Sequence, residues 1–167
     1  MPPTIRPATV DAVPLILRFI RALAAYEKLA HEVEATEERL HATLFPAAPS
    51  PSSPQPIPAA RCVLAFCEDV PAGFAIYFPN YSTFLARAGL HLEDLFVQPE
   101  FRGRGAGRAL LLPVARLAPT LGCGRMEWTV LGWNEPAKGF YRSLGAIELT
   151  DWRLMRLTGP ALTHCAR

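Results

Sequence analysis

A strand-like segment runs directly into a glycine- and arginine-rich loop and from there into a helix, and this order limits both the fold and the ligands open to the chain. Residues 90–97 are typical of a strand, residues 102–105 read Arg-Gly-Arg-Gly, and an apolar stripe predicts a helix over 105–121. Glycine lets the backbone turn tightly and approach a ligand closely. A helix start offers unpaired amides and a positive dipole end, so the segment is typical of a pyrophosphate site.

Two well-known phosphate loops do not match this segment. A P-loop needs Lys followed by Ser or Thr after its last glycine, and neither is present. A dinucleotide fingerprint needs G-x-G-x-x-G, whereas the glycines here are Gly103, Gly105 and Gly107. A flexible glycine-arginine turn without a ligand is the remaining alternative for the loop taken alone.

The composition is that of one globular domain, which we expect to span residues 1–167. The chain has 167 residues, of which 50% are hydrophobic and 19% are charged, and this argues against disorder. Its 17 basic and 15 acidic residues give a formal net charge of +2, too balanced to predict nucleic-acid binding. That reading would rest on Arg102, Arg104 and Arg108 alone.

The sequence predicts a metal-free protein of the cytoplasm. No apolar run approaches the ~20 residues of a membrane span, and the first residues contain no apolar signal-peptide core. The cysteines Cys62, Cys67, Cys123 and Cys165 form no C-x-x-C pair and have no clustered histidines. We therefore expect reduced thiols and neither zinc nor disulfides.

Periodicity and turn residues predict a mixed α/β order. The predicted helices cover 11–28, a shorter stretch opening at 36–38, 105–121 and 136–144, and Pro113 is expected to bend the third. The predicted strands cover 4–6, 61–68, 73–78, 90–97, 126–131 and 152–157, with a turn at 69–72 and a looser segment at 80–89. Residues 46–58 are proline-rich and predict a surface loop, with a docking segment for a proline-binding module as the alternative.

Two stretches together resemble a known superfamily. Arg102-x-x-Gly105-x-Gly107 after a strand, and the pattern N-x-x-A-x-x-F-Y-x-x-x-G-A from Asn134 to Ala146, are similar to the GNAT acetyltransferases. Further segments resemble its diamine branch, which includes the spermidine/spermine and thialysine acetyltransferases; they are 5–9, 23–29, 92–94 and 130–134. The resemblance implies a GNAT fold and a homodimer. The sheet would be mostly antiparallel, flanked by helices, and splayed at the acetyl-CoA site between strands ending near Val97 and Leu131.

The resemblance also implies which residues hold acetyl-CoA. Backbone groups at the end of one strand would bind the pantetheine arm, the glycine-rich loop would bind the pyrophosphate, and a later segment would contact the cofactor further along. In that order they are Leu95, Phe96, Val97; Arg102, Gly103, Arg104, Gly105, Ala106, Gly107, Arg108; and Asn134, Glu135, Pro136, Ala137.

For the acceptor amine, the resemblance implies Tyr141 as the acid that protonates the leaving thiolate and Glu93 as the carboxylate that acts on the amine. Substrate-facing residues would be Tyr26, Glu27, Glu93, Glu127, Trp128 and Thr129. An alkylammonium must lose a proton before it attacks a thioester, and a carboxylate both attracts and deprotonates it. Strand alternation predicts that Asp94 faces away from Glu93. Glu27 could instead pair with a neighbour on its helix, and Tyr141 or the tryptophans could serve packing alone.

The implied function is acetyl transfer from acetyl-CoA to a primary amine of a small diamine, polyamine or thialysine-like substrate, by direct attack in a ternary complex. Two alternatives stay open. The acceptor could be a protein lysine or amino terminus, or the chain could be an acetyl-CoA-binding sensor without catalysis.

Overall fold

The structure, a computed structural model, describes residues 2–46 and 58–166. The chain divides into two compact units, Met1–Thr129 and Val130–Arg167. Residues 47–57 of the predicted proline-rich loop lie outside the described residues.

The first unit is an open sheet with helices. Its elements, in chain order, are β1 (Thr4–Pro7), α1 (Val13–Tyr26), α2 (Glu37–Leu44), β2 (Arg61–Cys67), β3 (Val70–Ser82), β4 (Arg87–Val97), α3 (Ala106–Thr120) and β5 (Met126–Trp128). The sheet order follows the chain. Strands β1 to β4 pair antiparallel, and β5 pairs parallel to β4. The predicted mixed, mostly antiparallel α/β fold is therefore confirmed.

The core lies on both faces of this sheet. The apolar stripe of α1 packs against one face, where Phe19 stacks on Phe74 with ring centroids 5.7 Å apart. Helix α3 contacts β2, β3 and β4 but shares no residue with that cluster, so it covers the other face. Leu110 and Val114 of α3 are fully buried there. Helix α3 runs without interruption through Pro113, so this proline does not end the helix, and the bend expected there stays a prediction.

Both hairpins are tighter than the sequence predicted. Strand β3 begins at Val70, so the turn after β2 is only Glu68-Asp69, each with a positive φ, and not the predicted 69–72. Pro71 enters β3 at a register irregularity, where a missing amide donor is tolerated. The predicted loose segment 80–89 is also wrong at both ends, because β3 extends to Ser82 and β4 starts at Arg87.

Gly73 is required by close packing between β3 and β4. A Cβ there would overlap the carbonyl oxygen of Phe96, which belongs to the backbone and cannot move aside. We expect Gly73→Ala to lower the free energy of unfolding by about 2–4 kcal/mol, measured by denaturant titration. Gly139→Ala is the matched control, because a Cβ at Gly139 meets nothing within 4 Å. Equal stability of the two variants would contradict the packing argument.

Within residues 130–166, the second unit contains two helices, α4 (Glu135–Arg142) and α5 (Gly159–Cys165). The predicted helix 136–144 is confirmed, whereas α5 was not predicted. The predicted strand over 152–157 is wrong: among the described residues this segment pairs with no strand, and Trp152 and Met155 are 74% and 88% exposed. A β-propensity pattern forms a strand only where a partner supplies the ladder. Strand β5 is likewise shorter than the predicted 126–131.

Candidate functional site

The glycine-rich loop has the left-handed backbone that its sequence suggested. Gly103 and Gly105 have φ values of +72° and +84°, and a Cβ at either would meet nothing within 4 Å. Glycine therefore suits these positions because of their conformation and not because of packing. The loop surface is open to a ligand.

The first turn of α3 follows this loop and offers a phosphate-binding surface. The amide of Ala109 donates to the carbonyl of Gly105 at 2.9 Å, so the preceding amides lack intrahelical acceptors. The dipole end is positive there, and the exposed side chains of Arg104 and Arg108 add charge. The Ala106 side chain is buried, so this residue can contribute only its backbone.

Arg102 makes contacts that the sequence did not reveal. Its Nε donates to the carbonyl oxygen of Val97 at 2.9 Å. Its guanidinium lies over the Tyr26 ring, 4.6 Å from the centroid, and 5.7 Å from the centroid of Phe96. Arg102 thus ties the start of the loop to the ends of α1 and β4, a contact between distant residues that no local motif encodes.

The end of β4 has one edge without a strand partner among the described residues. Pairing with β5 covers Leu90, His91 and Leu92, opposite Met126, Glu127 and Trp128. Strand β4 continues to Val97 with β3 as its partner. Because the side chains of Phe96 and Val97 are buried, the backbone groups at this edge are what β4 offers to a ligand.

A bulge in β4 changes the predicted direction of its acidic residues. Ile76 pairs with Asp94 and Tyr77 pairs with Leu92, which leaves Glu93 as the extra residue. Ile76 belongs to the cluster packed on α1, so Asp94 lies on the α1 face of the sheet. The alternation argument that turned Asp94 away from Glu93 is therefore wrong, because it assumed an unbroken strand.

Three carboxyl groups interact at this place. Burial raises the pKa of Asp94 to about 7, with smaller contributions from the charges of Glu93 and Glu27. Burial also raises the pKa of Glu27, which follows the last turn of α1. The side chain of Glu93 is 56% exposed. We call Glu27, Glu93 and Asp94 the acidic cluster; it can attract and deprotonate a cation.

The predicted substrate strand 127–129 presents an acid that already has partners. Glu127 Oε2 lies 2.9 Å from Arg125 Nε and accepts from Asn80 Nδ2 at 3.0 Å. Arg125 also donates to Ser82 Oγ. Glu127 shares the sheet face of His91 through their register, while Trp128 is half-buried beside it and Thr129 follows the end of β5.

In the second unit, the predicted cofactor residues form the start of α4. The buried Asn134 accepts the amide of Ala137 on Oδ1 at 3.3 Å and so caps the helix. Pro136 lies in the first turn, and Glu135 accepts a hydrogen bond from Lys138 Nζ at 2.9 Å. Tyr141, further along α4, is half-buried.

No group of His, Cys, Asp and Glu suited to a metal occurs in 2–46 and 58–166, and the cysteines there form no disulfide. Within the same ranges no helix is long and apolar enough to cross a membrane.

Comparisons with known proteins find a matching family model, related proteins and similar solved structures. A model of the acetyltransferase (GNAT) family matches residues 22–146. An L-ornithine N5-acetyltransferase of Arabidopsis thaliana is 38% identical, with 95% of this chain and 85% of that protein covered. A thialysine N-epsilon-acetyltransferase of Bos taurus is 36% identical over 90% of this chain and 89% of that protein. Among solved structures, an integron cassette protein from the mobile metagenome of V. cholerae has a TM-score of 0.75 and 27% identity, over 100% of this chain and 99% of that one.

Proposed function

The chain belongs to the GNAT acetyltransferase family, and from this premise we propose that it acetylates a primary amine of a small diamine, polyamine or thialysine-like substrate. The amine attacks acetyl-CoA directly in a ternary complex. The observation that carries the proposal is the acidic cluster beside the open end of β4. Relatives named for ornithine and thialysine, both small amines with a second charged group, support the same substrate class.

The family uses acetyl-CoA as co-substrate, and the first unit fits its charged end. The left-handed glycines, the first-turn amides of α3 and the exposed Arg104 and Arg108 suit a pyrophosphate. Backbone groups of Leu95, Phe96 and Val97 would hold the pantetheine arm. One amide near Phe96 would stabilise negative charge on the thioester oxygen. Arg102 would act chiefly by holding the loop in place.

Within the acidic cluster, different carboxylates would bind the amine and deprotonate it. Asp94 is half-buried, and its carboxyl would lose its proton as a cation binds beside it, so it would hold the charged substrate. The more exposed Glu93 would take the proton that the attacking nitrogen must lose. Glu27 and Tyr26 complete the acceptor side from α1, with Glu127, Trp128 and Thr129 from the β5 segment.

The second unit supplies the remaining roles. Tyr141 would protonate the departing thiolate, and Asn134, Glu135, Pro136 and Ala137 would contact the cofactor beyond the pyrophosphate. The family match spans 22–146 and so includes parts of both units, which supports treating 1–167 as one GNAT domain. We place the protein in the cytoplasm as a homodimer.

An amine panel tests the substrate class. We expect release of CoA thiol from acetyl-CoA with diamines, polyamines, ornithine and thialysine. Monoamines of equal length should be poorer by about tenfold or more in kcat/KM, because they lack the second charge that the acidic cluster attracts. The measurement is a thiol-release assay at fixed pH and ionic strength.

Basic peptides in the same assay separate the alternatives. Turnover of peptides without turnover of small amines would indicate that the acceptor is a protein lysine or amino terminus. If no amine or peptide releases CoA thiol while calorimetry still shows acetyl-CoA binding, the result would favour the acetyl-CoA sensor and contradict the proposed function.

A further inference from the structure

His91 lies beside the acidic cluster and has no part in the roles assigned above. It occupies β4, opposite Phe78 on β3 and Glu127 on β5. Its ring packs against Phe78 with centroids 5.0 Å apart, and its side chain is 23% exposed. The imidazole is therefore held by packing while part of it reaches solvent.

The imidazole points one nitrogen at the proposed base. His91 Nε2 is 3.7 Å from Glu93 Oε2, close enough for an ion pair and slightly too long for a direct hydrogen bond. A small rotation of the exposed Glu93 or one bridging water closes that gap. His91 and Glu93 are two residues apart on β4, a spacing at which side chains share one face of a sheet.

Other charged groups lie on the elements around His91. On β5, Glu127 binds Arg125 and Asn80. Asp94 on β4 is subject to the negative charges of Glu93 and of Glu27, the residue that follows α1. On β3, the facing residue Phe78 is uncharged. Glu93 is thus the carboxylate within ion-pair distance of the imidazole among these groups.

Acetylation of an ammonium releases one proton in each turnover. The ammonium gives one proton to the Glu93 carboxylate before its nitrogen attacks. The nitrogen loses a second proton as the N–C bond forms and the thioester C–S bond breaks, and this second proton balances the one that the departing thiolate takes from an acid. Glu93 must then lose the proton it gained before the next substrate binds. Histidine accepts and releases protons in the physiological pH range.

We propose that His91 is a proton relay that returns Glu93 to its carboxylate form. It accepts the proton of Glu93 on Nε2 and releases one from Nδ1 to water. The inference rests on the proposed function, since it needs an amine that Glu93 deprotonates. His91 acts through Glu93 and does not touch the substrate.

The test compares His91→Phe, which keeps a ring against Phe78, with His91→Ala, which opens space for added imidazole. With a small amine that the wild type acetylates, we expect kcat to fall by roughly ten- to a hundred-fold in both variants. The KM for acetyl-CoA should stay unchanged. Imidazole in the buffer should restore part of the kcat of His91→Ala in a pH-dependent way and leave His91→Phe unaffected.

His41→Ala, at an exposed position of α2, is the control and should match the wild type. A folded His91→Phe, checked by circular dichroism, with wild-type kcat and pH profile would overturn the relay. So would a loss of kcat in His91→Ala without rescue by imidazole. A wild type that acetylates no amine would instead reject the proposed function itself, so the two failures are distinguishable.

Discussion

Replacing Asp94 by Asn is expected to lower kcat/KM for a small diamine by on the order of a hundredfold, mainly through KM for the amine. The variant keeps the shape of the side chain and removes the half-buried charge that would hold the cationic substrate. The ionised form is needed for binding, so the wild-type KM for the amine should rise as the pH falls through about 7, the pKa to which burial raises Asp94. This dependence should be absent in Asp94→Asn.

The same substitution should stabilise the protein at alkaline pH. The pKa of Asp94 is higher in the folded state, so the folded chain holds a proton that the unfolded chain has lost between about pH 4 and 7. Wild-type stability therefore falls as the pH rises through that interval and is level above it. At pH 8 we expect Asp94→Asn to have a free energy of unfolding about 2–4 kcal/mol higher. At pH 3.5 most of this difference should vanish.

Asp69→Asn is the matched control for both measurements. Asp69 lies in the β2–β3 turn, its side chain is 84% exposed, and Asn also tolerates its positive φ. Its loss of the Arg6 ion pair should change stability by less than about 1 kcal/mol and leave kcat/KM unchanged. A wild-type KM for the amine in Asp94→Asn at pH 8 would show that Asp94 does not bind the amine.

Adding one negative charge to the glycine-rich loop is expected to weaken acetyl-CoA binding strongly. Asp and Asn both tolerate the left-handed backbone of Gly103, and a Cβ there meets nothing within 4 Å. Gly103→Asp should bind acetyl-CoA about ten- to a hundred-fold more weakly than Gly103→Asn, because a like charge then faces the pyrophosphate. Calorimetric titration of both variants measures the difference.

The comparison between these two variants isolates charge, since they differ by little else. The difference between their affinities for acetyl-CoA should become smaller at high salt, because the loop is exposed and salt screens its charges. Equal affinities at low salt would mean that the pyrophosphate lies elsewhere, and the assignment of the loop and the first turn of α3 would then be wrong.

The conformation of the proposed cofactor loop and of α3 could be predicted from sequence because its signals are local. Gly103 and Gly105 stand next to the helix they precede, and their need for positive φ is visible in the residue type itself. The apolar stripe of α3, including Leu110 and Val114, is likewise read from consecutive residues.

The geometry around the proposed acceptor residues could not be read from the sequence, because it depends on pairing between strands. The β4 bulge that brings Asp94 towards the α1 face arises from the pairing register between β4 and β3. No residue type near Asp94 predicts that register. The stacking of Arg102 on Tyr26 joins residues far apart in the chain. Similarly, the residues around Trp152 have strand propensity, but whether they form a strand depends on a neighbouring strand that pairs with them.

Product analysis tests the central claim most directly. The full chain is incubated with isotopically labelled acetyl-CoA and a diamine, and the amine is then examined by mass spectrometry alongside the thiol released. We predict labelled mono-acetylated diamine in equal amount to CoA thiol, formed only when the protein is present. Binding of acetyl-CoA without any acetylated amine, or label found only on added peptides, would contradict small-amine acetylation.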